Sequence, residues 1–153
     1  MGPRAARPDD SHLAMATGTL AALRQKAPDA FAGIVVSPDG SVDLLVTAVT
    51  PAIVRAIDDA QRASGDAVMV RLVEGMKHSH AHLERLRDEI TARHAELESR
   101  GAAIVEWGVD ERQNKVRVGV KGLTPQIGEL VAREFSADGV YVFEASEFRP
   151  TRT

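Results

Sequence analysis

The sequence predicts an α+β fold of two ββαβ-like halves, each a small antiparallel or mixed sheet with a helix on one face, joined by a long central helix. Three observations lead there. Short apolar runs with period-two alternation come in pairs around strong turn residues. Each second run leads into a Thr-Pro pair and a helical pattern. The whole plan occurs twice: Val42, Leu44 and Val46 line up with Val116, Val118 and Val120, and Thr50-Pro51 with Thr124-Pro125 at the same offset. The nearest simple description is a ferredoxin-like split βαβ variant.

Residues 1–10 carry Pro3, Pro8 and charges and are expected to be disordered. Residues 11–76 form the first half. Ser11 can cap a helix running to about Ala27, with Leu13, Leu20 and Leu23 as its stripe and Pro28 as its stop. Phe31 to Val36 reads as a buried strand. Ser37-Pro38-Asp39-Gly40 turns the chain, because Pro fixes φ, Asp bonds back to the backbone and Gly takes positive φ. Val42 to Val46 completes a hairpin. Thr50 caps the next helix with Pro51 at its first position, where a missing N–H costs nothing. Ile53, Val54 and Ile57 are expected to face inward. Ser64-Gly65 stops that helix, and Ala67 to Leu72 is the third strand.

Residues 77–101 read as the linking helix. Leu83, Leu86, Ile90, His94 and Leu97 recur at spacings of three and four, with Ser79 as cap and Gly101 as stop. Residues 102–144 repeat the plan. Val116, Val118 and Val120 alternate with Lys115, Arg117, Gly119 and Lys121, the pattern of a sheet covered on one face only. Thr124-Pro125 opens a helix with Ile127, Leu130, Val131 and Phe135 inward, and Asp138-Gly139 turns into Val140 to Phe143. Residues 145–153 are polar, contain Pro150 and read as an extended tail.

Composition narrows the function classes. The net charge is −3, with both signs mixed along the chain, so no general electrostatic case arises for nucleic acid or an anionic membrane. No apolar run approaches the ~20 residues of a membrane span. There is no cysteine, which removes disulfides, thiol nucleophiles and Cys-ligated zinc. The opening M-G-P-R-A-A-R-P-D-D lacks an apolar h-region and, as written, is not a signal peptide.

His78, His80 and His82 have the ligand chemistry for zinc or nickel. With Ser79 as cap, however, His78 falls outside the helix, and the Glu of a His-Glu-x-x-His pattern is missing. The reading is a solvated helix start, with no metal and no cofactor. His94 lies on the apolar stripe as a packing residue. Adjacent carboxylates such as Asp58-Asp59 point about 100° apart on a helix and make poor acid/base pairs. No nucleophile elbow and no P-loop occurs. The chain is therefore read as a non-enzyme. Trp107, its one tryptophan, stands on a strand as core residue or interface anchor.

Trp107-Gly108-Val109-Asp110, then Asn114-Lys115-Val116-Arg117-Val118, together with Ser79-x-Ala81-x-Leu83 and Phe31-Ala32-Gly33-Ile34, resemble the pro-region of secreted serine proteases of the α-lytic protease type. More closely, they are similar to the N-terminal region of actinobacterial chymotrypsin-fold proteases, without the protease domain. The likeness covers residues 30–153, and Phe148 to Thr153 resembles the junction that runs into the mature enzyme. The resemblance implies a module that acts as folding catalyst and inhibitor of a serine protease. It implies docking through the second-half sheet, at Trp107, Val116, Val118, Val120, Val140 and Val142. It further implies a tail of Glu144, Phe148, Arg149, Pro150 and Thr151 inserted into the protease cleft. The resembling family is secreted, whereas the chain as written reads as cytoplasmic. The alternative is a stand-alone ferredoxin-like regulatory or oligomerisation domain that binds a small ligand or a second copy through free sheet edges.

Overall fold

The computed structural model describes residues 10–145. Along the chain run α1 (Asp10–Ala21), α2 (Leu23–Lys26), β1 (Phe31–Val36), β2 (Val42–Val46), α3 (Pro51–Ala63), β3 (Val70–Val73), α4 (His80–Ser99), β4 (Ala103–Asp110), β5 (Lys115–Lys121), α5 (Pro125–Glu134) and β6 (Val140–Glu144). The fold is α+β. It divides into two compact units, Met1–Ala81 and His82–Thr153. The expectations for residues 1–9 and for Phe148, Arg149, Pro150 and Thr151 lie outside the described residues.

Each unit holds a three-stranded sheet, in the orders β1-β2-β3 and β4-β5-β6. In both, the first pair is antiparallel and the second parallel, so the second strand of each hairpin is central. Both hairpins carry an irregularity at the matching place, between Phe31 and Gly33 in β1 and between Ile104 and Glu106 in β4. A bulge inserts one residue and increases local twist, and here it is repeated with the rest of the plan.

The central strands hold the cores. Val42, Leu44 and Val46 lie wholly buried with Phe31, Leu20, Leu23 and Ile53. Val116, Val118 and Val120 lie wholly buried with Leu83, Ile90, Leu97 and Val131. Each such side chain contributes about 1.5–3 kcal/mol when removed from water. The anticipated linking helix therefore has its stripe inside the second core, where α4 and α5 bury one face of the sheet. Its apolar spacing needs a surface to cover, and β5 supplies it. The first helix breaks at Ala22 rather than running to Ala27. The third strand begins at Val70 rather than Ala67, because Asp66 at φ 63° and the turn around it take up the preceding residues. Val54 is 49% exposed and not inward as expected; Ile53 and Ala60 carry the buried face of α3.

The two Thr-Pro starts are equivalent in detail. Thr50 (φ −125°, ψ 166°) accepts a hydrogen bond from the Ile53 N–H at 3.3 Å. Thr124 (φ −125°, ψ 165°) accepts one from the Ile127 N–H at 3.2 Å. Each satisfies a donor that the first helical turn would leave without a partner. The hairpin turns differ. Asp39 accepts from the Ser41 N–H at 2.9 Å beside Gly40 at φ 87°. The second turn instead uses Asn114 at φ 58°, with Asp110 accepting from the Gln113 N–H at 3.0 Å.

In the second unit an ion network ties α4 to α5. Arg93 reaches Glu134 at 2.7 Å, Glu96 at 2.9 Å and Glu89 at 3.2 Å, and also donates to the Glu134 carbonyl at 3.2 Å. Arg100 adds a contact to Glu134 at 3.4 Å. The hydrogen bond from Arg93 and the nearby Arg100 charge hold the Glu134 carboxyl below its ordinary range, against the opposing effect of burial. The Arg93 hydrogen bond does the same for Glu96.

Two outcomes test this account. Thr50→Ala and Thr124→Ala should each lower stability by about 1 kcal/mol in urea denaturation, with Thr→Ser restoring most of it. Because the caps lie in different units, the double variant should be additive. For the ion network, a depressed carboxyl pKa means stability that is present above the ordinary carboxyl range and is lost as pH falls through the folded value. Glu134→Gln should therefore flatten the fall in Tm between about pH 6 and about pH 3, while leaving the alkaline side unchanged.

Candidate binding surface on the second sheet

The alternation along β5 gives its sheet two unlike faces. Val116, Val118 and Val120 point under α4 and α5. The register puts Lys115, Arg117, Gly119 and Lys121 on the opposite face. Beside them on β4 stand Glu106, Gly108 and Asp110, and on β6 stand Tyr141 and Phe143. Arg117 pairs with Gly108 on one side and Tyr141 on the other; Gly119 pairs with Glu106 and Phe143.

These pairings build a stacked cluster. The Arg117 guanidinium carbon lies 4.3 Å from the Phe143 ring centroid and 5.9 Å from that of Tyr141. The two rings are 6.3 Å apart and inclined by 20°. A guanidinium over an aromatic face is attracted by the ring quadrupole, by about 0.5–1 kcal/mol at exposed sites and more when desolvated. Tyr141 is 45% exposed. Arg117 forms no salt bridge with a described residue, and its Nε is shielded from solvent without a hydrogen-bond acceptor. Gly119 is what lets the Phe143 ring close in. A Cβ there would stand 2.6 Å from Glu106 Cγ, 2.9 Å from Phe143 Cζ and 3.1 Å from Ala145 Cβ.

The expected docking residues divide differently. Val116, Val118 and Val120 are wholly buried and Val140 nearly so, with Val142 packed against the same core. They cannot offer side chains to a partner, because the helices bury that face. Nor can β5 offer its backbone, since its ladder is filled on both sides by β4 and β6. Trp107 is half-buried against α4. Its Nε1–H donates to the Thr91 hydroxyl at 2.8 Å, and its ring lies 4.8 Å from that of His94. It is a packing residue that holds β4 to the helix. Glu144 is not a loose tail residue: its carboxylate accepts from the Leu123 N–H at 2.7 Å and the Gly122 N–H at 3.2 Å. Ala145 N–H then bonds the Val120 carbonyl at 2.9 Å.

The cluster of Arg117, Tyr141 and Phe143 escaped the sequence reading. Its signal was the wet phase of the same alternation, in Lys115-Val116-Arg117-Val118 and Val140-Tyr141-Val142-Phe143. Only the strand register brings the two runs together.

The histidine run separates. His80 is buried with its ring edge-on to Phe31 at 5.6 Å, and His78 and His82 are half-buried. Among the described residues, no group of three or more His, Asp or Glu stands together as a metal site. One hollow of about 160 Å³ lies between α1, α2 and α3, with Lys26, Arg55 and Asp59 at its wall. Another, of about 410 Å³, is bordered by His82, Arg85, Glu89 and Phe135. No helix among the described residues is long and apolar enough to cross a membrane. Compared with known proteins, the chain matches no family model and no curated relative.

The packing at Gly119 has a direct check. Gly119→Ala should cost about 1–3 kcal/mol through overpacking of Phe143 and Ala145. Gly108→Ala on the same face meets nothing within 4 Å and should leave stability within about 0.5 kcal/mol. Paired thermal melts read the difference.

Proposed function

We propose that the chain is a non-catalytic protein-binding module that acts on a chymotrypsin-fold serine protease, in the manner of the pro-regions it resembles. The observation that carries this reading is the anchored edge at β6. Among the described residues that strand is paired on one side only, and its end is held by Glu144 on the Gly122-Leu123 backbone and by Ala145 on Val120. Ala145 is thus a fixed point beside an edge that no described strand fills. Strand addition at such an edge gives affinity through backbone bonds, and a peptide held nearby adds pockets and reach. With Val116, Val118 and Val120 buried, docking falls to the sheet edges and to the face bearing Tyr141.

The test adds purified chain to an α-lytic-type protease and follows both inhibition and recovery of activity from the unfolded enzyme. The full chain should inhibit and speed recovery. A form ending at Ala145 should inhibit at least about tenfold more weakly, a loss of about 1.4 kcal/mol. No effect of either form on either assay ends this reading. If light scattering then shows a dimer, the open edges of β4 and β6 serve self-association instead.

A further inference from the structure

The two units show what a complete version of the second sheet's exposed face contains. At the centre of the corresponding face of the first sheet stands Asp43, directly paired with Arg71. The Arg71 Nε donates to the Asp43 carboxylate at 2.9 Å, and an Nη donates to the Ser37 hydroxyl at 3.3 Å. The position of Asp43 in β2 corresponds to Arg117 in β5, and that of Arg71 in β3 to Tyr141 in β6. Each unit therefore puts one guanidinium at the middle of the sheet face. The first unit supplies its carboxylate internally. The second replaces that partner with two rings and supplies none among the described residues.

A guanidinium held against aromatic rings by its charge makes no hydrogen bond to them and keeps N–H donors for an acceptor. Of the acids on this face, Asp110 turns to the Gln113 N–H, and Glu106 lies over Gly119 without reaching Arg117 within ion-pair distance. Lys115 and Lys121 flank Arg117 along the same strand and bias the face toward an acidic visitor.

We infer that this face is a carboxylate-recognition site, at which Arg117, clamped by Phe143 and Tyr141, pairs with an Asp or Glu side chain on an extended segment of a partner protein. The inference rests on the reading of the chain as a protein-binding module, but not on the partner being a protease.

The experiment uses the full chain and no protease, so that its outcome is separate from the inhibition assay. The Nε–Hε resonance of Arg117 and the ring resonances of Tyr141 and Phe143 are followed by NMR. The probes are a blocked Val-Glu-Val-Glu peptide, its Val-Gln-Val-Gln counterpart, and inorganic phosphate. The acidic peptide should give saturable shifts confined to this face, at least about tenfold tighter than the Gln peptide. R117Q should abolish them. R117M, which keeps the stem that packs on the rings, should do the same while its amide spectrum shows the fold intact. Equal shifts with the Gln peptide, no saturable shift with the acidic one, or binding retained in R117Q would overturn the assignment. So would phosphate matching the acidic peptide at equal concentration, since the face would then be a general oxyanion site.

Discussion

The packing of one central strand under helices is the constraint on which each unit depends. In β2 and β5 every second side chain must be apolar, because it meets the helical layer, and the strand must be paired on both sides. Backbone groups sealed into such a place have no water to bond and must find a ladder partner. The antiparallel neighbour comes cheaply, through a turn of a few residues. The parallel neighbour cannot, since the chain has to travel back to the other end before it starts. The return path is the helix, and the helix is what covers the valines. Strand burial and strand pairing are thus one requirement, met by the α3 or α5 crossover. The Thr-Pro pair at the head of each crossover sets where the strand stops and the return begins.

That requirement explains which parts of the fold could be read from residues alone. The hairpins, both Thr-Pro starts and the stripe on α4 are local consequences of turn chemistry, capping and helical period, and each occupies its expected place within a few residues. The function of α4 was not local. Its stripe of Leu83, Leu86, Ile90 and Leu97 says that it covers something, but not which half it covers. The burial of the expected docking valines has a related reason. The valines of β5 are the most visible feature of the strand, and visibility came from the alternation that burial imposes. Residues that must be apolar to be covered are poor candidates for a free surface. The other phase, Lys115, Arg117, Gly119 and Lys121, looks like an ordinary wet face until Tyr141 and Phe143 are registered against it.

The duplication makes divergence between the copies informative. The core positions stay apolar in both, as Val42, Leu44 and Val46 match Val116, Val118 and Val120. The opposite face changes in kind. Leu45, almost wholly buried, corresponds to Gly119, and Val73 to Phe143. These two changes compensate in volume: the side chain removed at the centre is replaced by a ring reaching across from the edge. A glycine in a central strand weakens it unless something approaches closely, and here the approach is the Phe143 ring and the Glu106 stem.

The charge change follows from the same exchange. With a ring instead of an aliphatic side chain at the edge, a guanidinium can lie over it and be held without a carboxylate. A carboxylate at that position would gain nothing from the rings, whose faces are negative. The aromatic edge thus selects a cation on β5 over the Asp43 arrangement. A guanidinium presents its donors as a fork, and a fork matches a carboxylate bidentately. The Arg117 Nε is itself shielded from solvent. The face is consequently organised for one kind of acceptor by its own packing, through the glycine that admits the ring.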